Sequence, residues 1–288
     1  MAKTWRCDTE DSAPGRFQHL IGAIQLLKLR CTKLAATKAR HHLDILMAES
    51  ILFHASTMKS SSPLGAAVEI DDELWMWMES VLQLPLYDNM PSLGNHPVLG
   101  TPWKLNKLVF EVSRLSTRTP LRAQDILEKK RIGDELTRWE QKEDKLPKAV
   151  ELSRQEDPYA SVRKLYIICT RILLLGLEPA DHGEEAVFVN LQIRSHKARA
   201  MTILRDMEDT HGELWNFLMR WPLLVLGYIA DGTSEMYLIQ DSLDRIWLHS
   251  SCGDVKRYLK RMQSLWGDHK RSTYNYRNHD HRIVLTLD

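Results

Sequence analysis

Apolar residues recur at every third or fourth position along most of this chain, and runs that alternate apolar with polar residues are scarce. An α-helix repeats every 3.6 residues, so this spacing gathers the apolar side chains on one face. A half-buried strand requires strict alternation instead. The pattern therefore predicts an all-α protein, which we expect to be an irregular multi-helix bundle of antiparallel helices.

The limits of the predicted helices come from capping residues, prolines and breaks in the apolar period. Asp71 and Asp72 precede one apolar set and are expected to cap its helix. The segment KSSSP at 59–63 interrupts the pattern, and 84–102, rich in Pro, Gly and Asn, is predicted to be a long loop. The predicted helices cover 16–58 (as one or two helices), the apolar set at 74–82 that follows the cap, 103–115, 119–143, 158–177, 184–211, 214–230, 234–250 and 254–266.

Two helices of the second half bear on the core. The helix over 158–177 is apolar nearly all round after Leu165, which is typical of a central helix. The helix over 184–211 is amphipathic, and one of its faces is expected to point inward. The residues expected on that face are Val187, Leu191, Ala198, Met201, Ile203 and Leu204.

The length of 288 residues suits one large domain or two small ones. We expect residues 1–70 to be an N-terminal amphipathic helical segment of the same domain as residues 71–270. Residues 271–288 lose the helical period and are expected to form a polar tail. The tail contains His279 and His281, but no third ligand is suggested nearby, so it is not predicted to bind a metal.

Charge, cysteines and hydropathy exclude several classes of protein. The 39 Lys and Arg balance 38 Asp and Glu, which argues against a protein that coats nucleic acid by bulk charge. No pair among the four cysteines has CxxC spacing, and their wide separation without a secretory signal is typical of a reduced, intracellular protein. The longest apolar runs, 165–177 and 221–230, fall short of the roughly 18 residues of a membrane span.

Motifs for catalysis and cofactor binding are missing from the sequence. The glycines form no GxGxxG or phosphate-loop pattern, and neither a GxSxG elbow nor an HExxH helix occurs. We therefore predict no enzymatic activity, no cofactor and no metal.

The apolar segment at 214–230 contains the candidates for an effector pocket or a switch. Trp215, Trp221 and Tyr228 are suited to lining a cavity for a small-molecule effector, although packing in the core is the commoner role of such residues. Pro222 is expected to kink or restart the helix. With Gly227, it forms a candidate switch between two helix packings.

Four basic residues form a stripe on the helix over 254–266, namely Lys256, Arg257, Lys260 and Arg261. Such a stripe is a candidate contact for nucleic-acid phosphates, although a solvated helix face is commoner. Binding that does not respond to salt, or no binding at low salt, would eliminate the phosphate contact.

Four segments carry motifs that occur together in one known family. Residues 97–115 (PVLGTPWKLNKLVFEVSRL) form a leucine-glycine and proline turn followed by a helix, and 162–166 (VRKLY) lead into an apolar helix. Residues 221–227 (WPLLVLG) match a PLF-x-x-G helix, and 254–266 form a closing basic helix. In order and spacing, over about residues 70–270, these segments resemble the second type of fungal-specific transcription factor domain, the helical regulatory region of fungal zinc-cluster transcription factors.

This resemblance implies regulation of transcription in fungal nuclei, often of genes of primary or secondary metabolism. In that family, the helical domain follows a DNA-binding zinc cluster made by six cysteines, and acts through small molecules, protein partners or dimerisation. The four cysteines here cannot rebuild that cluster, so no zinc ligand is carried over and direct DNA binding by this chain is not expected.

Two alternatives stay open at this point. Either the chain is a regulator without a DNA-binding zinc cluster of its own, or the gene encodes the six spaced cysteines in an open reading frame upstream of this sequence. The alternative function is that of a helical small-molecule-binding protein or of an enzyme of fungal metabolism. Such a protein would use a cavity between helices, and that cavity would have to be lined by convergent buried polar side chains.

Overall fold

A computed structural model of the chain describes residues 13–34, 42–59, 69–87, 96–118, 120–145, 159–177, 184–210, 216–250 and 253–272. Within these ranges it consists of α-helices joined by turns, with no strand, which confirms the all-α prediction. The antiparallel arrangement of the helices stays a prediction. The helices are α1 (Ala13–Leu34), α2 (His42–Lys59), α3 (Asp72–Leu82), α4 (Trp103–Ser116), α5 (Ala123–Lys145), α6 (Ala160–Leu175), α7 (Glu184–Thr210), α8 (Asn216–Ile229), α9 (Thr233–Ser250) and α10 (Gly253–Ser272).

The described helices form two compact units, and the division between them falls inside α5, between Ile132 and Gly133. The N-terminal unit contains α1 to α4 and the first turns of α5, and the C-terminal unit contains the rest of α5 and α6 to α10. The expected division into 1–70, 71–270 and 271–288 stays a prediction. None of the described helices is long and apolar enough to cross a membrane.

In the N-terminal unit, α2 packs against α4 and also contacts α1 and α3. The fully buried side chains of Leu52 on α2 and Val109 on α4 belong to this core. The cap predicted before α3 is confirmed, because Asp71 Oδ1 accepts a hydrogen bond from the backbone N–H of Leu74 at 2.9 Å. Asp72 is the first residue of the helix itself, where its negative charge suits the helix dipole.

The turn before α4 is held by a carboxylate of α2. Glu49 is fully buried, its Oε1 lies 2.9 Å from Nδ1 of His96, and its Oε2 accepts from the backbone N–H of Val98 at 3.0 Å. The turn then passes through Gly100, whose φ of 59° lies in the left-handed region that favours glycine. Glu49 therefore fixes the start of the segment whose leucine-glycine and proline motif was noted in the sequence.

In the C-terminal unit, α6 is largely buried and contacts both α7 and α8. Buried ion pairs accompany this apolar packing. Arg163 donates from Nε and Nη2 to the two carboxylate oxygens of Glu143, at 2.8 and 3.2 Å. Lys197 of α7 is paired with Asp231 at 2.5 Å and with Glu235 at 3.0 Å. Each buried charge thus has an opposite charge beside it, as burial in a low-dielectric core requires.

The inward face expected for α7 is partly wrong. Met201 and Leu204 are buried, but Val187, Leu191 and Ala198 are exposed, and Ile203 is half-buried. The observed inward positions follow one regular helical phase and are Ile193, Lys197, Ala200, Met201, Leu204 and Met207. The prediction failed because Lys197 lies in the middle of the buried face. A pattern read from apolar residues alone assigns a lysine to the solvent-facing side, and this rotates the predicted inward face.

Candidate functional site

The candidate effector or switch segment is α8, which contacts α6, α9 and α10. Pro222 lies inside this helix without ending it. A proline in a helix interior has no N–H to give to the carbonyl four residues earlier. In α8 that carbonyl belongs to Leu218, and the hydroxyl of Tyr166 on α6 donates to it at 3.1 Å. A side chain of a neighbouring helix therefore replaces the hydrogen bond that the proline removes.

Tyr166 is held for this role by its surroundings. Its side chain is fully buried, and its ring packs at a tilt on Trp221, with 5.0 Å between the ring centroids. Burial raises the pKa of the Tyr166 hydroxyl above its ordinary value, so the group stays a protonated donor. One turn of α6 onward, Cys169 Sγ lies 3.8 Å from the carbonyl oxygen of Pro222, and burial likewise raises the pKa of this thiol.

At Gly227, a side chain of α10 packs closely against α8. A Cβ at this position would lie 2.4 Å from Met262 Sδ and 2.5 Å from its Cε, closer than van der Waals contact allows. The carbonyl of Gly227 accepts from the indole Nε1 of Trp266 at 3.0 Å. A side chain larger than hydrogen would therefore displace Met262, which is itself fully buried.

Tyr228, one of the effector-pocket candidates on α8, contacts Arg261 of the basic stripe on α10. Its side chain is half-buried, and the guanidinium Cζ of Arg261 lies 5.5 Å from its ring centroid. Burial raises the pKa of the Tyr228 hydroxyl, and the nearby charge of Arg261 partly opposes that rise. Among the described residues, the buried hydroxyl of Tyr228 has no hydrogen-bond partner.

The basic stripe lies on the solvent-facing side of α10. Two of its four residues, Lys256 and Arg261, also contact aromatic rings. Lys256 Nζ lies 3.9 Å from the ring centroid of Trp247 on α9, and Arg261 covers Tyr228. Lys256 and Lys260 are exposed, and Arg257 is half-buried. The opposite face of α10 is buried and consists of Val255, Leu259, Met262 and Trp266.

The structure places four of the five candidates for the effector pocket or switch on α8, and Trp215 lies outside the described residues. Trp221, Pro222 and Gly227 are buried against α6 and α10, so their surroundings are packed side chains at the contacts described above. A pocket for an effector stays a prediction. Within the described ranges, no group of three or more His, Cys, Asp or Glu residues is placed to hold a metal ion.

Sequence analysis missed Tyr166, although it lies in the VRKLY motif. A proline inside a helix always leaves a carbonyl that needs a donor, and a tyrosine in a nearly all-apolar helix is a candidate for it. Chemically, the arrangement around α8 supplies neutral donors to backbone carbonyls. It joins helices rather than moving protons, because the Tyr166 hydroxyl and the Cys169 thiol both remain protonated.

A family comparison now adds to this geometry. No curated protein and no solved structure matches the chain. The model of the fungal specific transcription factor domain matches residues 18–280, a range that includes helices of both units and every candidate residue of α8 and α10. That range is most of the 288-residue chain. The chain therefore belongs to the family of fungal specific transcription factor domains.

Proposed function

We propose that this chain regulates transcription in the fungal nucleus through its helical domain, without a zinc-cluster DNA reader of its own. The observation that carries the proposal is the family match over residues 18–280. The sequence adds that four cysteines without a CxxC pair cannot build a six-cysteine cluster. Residues 1–288 then need a DNA reader from outside this sequence, and the helical domain acts through a protein partner, through self-association or in response to a small-molecule effector.

The helix α8 is the switch in this proposal. Pro222 removes one hydrogen bond of the helix, and a single tyrosine hydroxyl from α6 replaces it. A second packing of α8 therefore begins with the loss of one neutral hydrogen bond between Tyr166 and the Leu218 carbonyl. An effector or partner that binds the second packing more tightly shifts the population toward it.

The basic stripe on α10 is the proposed contact for an anionic partner, nucleic-acid phosphate included. The exposure of Lys256 and Lys260 supports this role. The test is fluorescence anisotropy of a labelled DNA duplex at low and high salt, with wild type and the double variant Lys256→Glu/Lys260→Glu. Binding that weakens with salt and with charge reversal supports a phosphate contact, and no binding at low salt eliminates it.

The proposed regulation of transcription is tested by tethering the chain to a heterologous DNA-binding domain in a fungal reporter strain. We expect reporter transcription to rise or fall relative to the DNA-binding domain alone. The matched control is the same fusion carrying Gly227→Trp, which obstructs the contact between α8 and α10. If the wild-type fusion gave the same reporter output as the DNA-binding domain alone, at equal protein levels, that result would contradict the proposal.

Nuclear location and metabolic targets are tested separately. A fluorescent fusion expressed from the native promoter should accumulate in the nucleus. Deletion of the gene should change transcripts of genes for primary or secondary metabolism. A fusion excluded from the nucleus under all conditions, or an unchanged transcript profile, would count against these parts of the proposal.

A further inference from the structure

The first turns of α7 expose three large apolar side chains, which lie outside the buried core of the described helices. Val187, Phe188 and Leu191 are 61%, 60% and 57% exposed. Positions i, i+1 and i+4 lie on the same side of a helix, so the three side chains form one continuous patch. Isolated apolar residues on a surface are ordinary, but a cluster that includes a phenylalanine is typical of a site for a partner.

The contacts of α7 within its own unit are made by a different face. Ile193, Lys197, Ala200 and Leu204 are buried and follow the regular phase of a helix that packs on its neighbour α6. Burial of Lys197 between Asp231 and Glu235 fixes this rotation of the helix. Because that face carries the buried Lys197 with its two carboxylate partners, the apolar patch cannot turn inward without separating the three charges.

Positive charge continues along the exposed side of α7. Arg194 follows Leu191 by three positions and is exposed, and Arg199 and Arg205 are exposed farther along the helix. The exposed positions from 187 to 205 contain no carboxylate, and acidic residues stand at both ends of this stretch, namely Glu184 and Glu185 before it and the exposed Asp206 after it. The surface thus combines an apolar patch with neighbouring cations, and its complement is a segment that is apolar on one side and acidic beside it.

We propose that Val187, Phe188, Leu191 and Arg194 form a docking surface for an acidic amphipathic helix of a protein partner. The apolar side of that helix covers the patch, and its carboxylates pair with the arginines. A parallel second copy of α7 would bring arginines against arginines, whereas an antiparallel copy would bring Arg194 toward the positions of Glu184 and Glu185, so self-association is one outcome of the test below. The proposal gives a partner to the regulatory role proposed above and rests on it for the biological setting only.

Direct binding of a designed probe tests the surface without reference to transcription. The probe is a fluorescein-labelled peptide of about 20 residues, a length that supports helix formation. It carries Leu at i, i+3, i+4 and i+7 and Glu at most other positions, and a matched peptide carries Lys in place of Glu. Fluorescence anisotropy with the full chain should give binding of the acidic peptide and none of the basic one.

Three variants locate the site. Phe188→Ala should weaken binding of the acidic peptide by about tenfold or more, as loss of a central aromatic contact does. Arg194→Glu should weaken it as well and should improve binding of the basic peptide. Tyr237→Ala is the matched control, since Tyr237 is a 73% exposed aromatic residue on α9 and its loss should leave affinity unchanged. Circular dichroism should show the same helical content in all three.

Several outcomes would overturn the docking surface. These are no binding to the wild-type chain, equal binding of the two peptides, or unchanged affinity in both Phe188→Ala and Arg194→Glu. Analytical ultracentrifugation of the wild-type chain and of Phe188→Ala tests whether the patch binds a second copy of the chain. A wild-type dimer that Phe188→Ala converts to monomers would assign the patch to a second copy of the chain instead. Failure of the reporter experiment with intact peptide binding would count against the proposed function alone.

Discussion

The turns around α3 and α4 in the N-terminal unit and the helix α8 in the C-terminal unit satisfy isolated backbone groups with opposite chemistry. In the N-terminal unit, the carboxylates of Glu49 and Asp71 accept from backbone N–H groups at the turn before α4 and at the start of α3. In the C-terminal unit, the hydroxyl of Tyr166 and the indole of Trp266 donate to backbone carbonyls of α8. The segment before α4 and the start of α3 therefore use charged acceptors, and α8 uses neutral donors.

This difference has consequences for strength and for pH. Hydrogen bonds to a carboxylate are roughly twice as strong as neutral ones, so the turn before α4 should be harder to open than α8. A phenol and an indole do not change charge near neutral pH, and burial raises the pKa of Tyr166 further. The hydrogen bonds from Tyr166 and Trp266 to the α8 carbonyls are neutral and insensitive to pH near neutrality, which suits the switch proposed for α8.

Removal of the buried carboxylate should have the largest effect. In Glu49→Ala, the Val98 N–H and the His96 ring lose their partner inside the core, and we expect a loss of about 3 kcal/mol in the N-terminal unit. Because two units need not unfold together, hydrogen exchange of α2 and α4 amides is the measurement.

Two variants control for this first prediction. Glu49→Gln keeps one acceptor oxygen, so its loss should be smaller than that of Glu49→Ala. Glu69→Ala removes an exposed carboxylate and should leave exchange unchanged. Equal exchange rates in Glu49→Ala and wild type would show that the carboxylate does not hold the turn.

Close packing at Gly227 should give the next largest effect. A methyl group there meets Met262, so Gly227→Ala should destabilise the C-terminal unit by about 2 kcal/mol, as overpacking of a core does. Chemical denaturation followed by near-UV circular dichroism is the measurement. In a Met262→Ala background, the same substitution should cost much less, and additive losses in the double variant would argue against this contact.

The extent of the helices was accessible from sequence because it depends on local patterns. Each predicted helical segment contains a helix, and the cap at Asp71 follows from its position before the apolar residues of α3. The rotation of α7 was not accessible, because it depends on Lys197 meeting Asp231 and Glu235 from outside the helix. An ion pair between distant positions leaves no periodic signal in either segment.

The candidate site shows the same limit. Its proline and glycine were recognisable as residues that alter a helix, and both lie in α8. Their partners were not, since Tyr166 meets the Leu218 carbonyl across 52 positions and Trp266 meets the Gly227 carbonyl across 39. Which donor reaches which carbonyl is decided by the packing of α6 and α10 on α8, and that packing is a property of the folded unit.

Loss of the tyrosine hydroxyl should have a smaller effect than overpacking. Tyr166→Phe keeps the ring on Trp221 but leaves the Leu218 carbonyl without a donor, at a cost of about 1 kcal/mol. Thermal and chemical denaturation report it. Pro222→Ala restores a backbone N–H that can reach the same carbonyl, so Tyr166→Phe should cost less in that background. The same loss in both backgrounds would indicate that the hydroxyl does not replace the missing helix bond.

The smallest effect tests the pH side of the comparison, at the cap of α3. Hydrogen bonds from Lys28 and from the Leu74 N–H lower the pKa of Asp71 below its ordinary value. A lowered folded-state pKa means that the carboxylate stabilises the unit at neutral pH, and that this contribution is lost as pH falls through the folded-state pKa. Asp71→Ala should cost about 1 kcal/mol at pH 7, as loss of an N-cap does. Asp71→Asn should keep the cap and remove that dependence on pH. NMR titration of the Asp71 carboxyl in the wild-type protein, and denaturation of both proteins between neutral and acidic pH, are the measurements. A wild-type carboxyl that titrates at its ordinary value would contradict the charged cap, whereas Tyr166→Phe should show the same loss at every pH in this range.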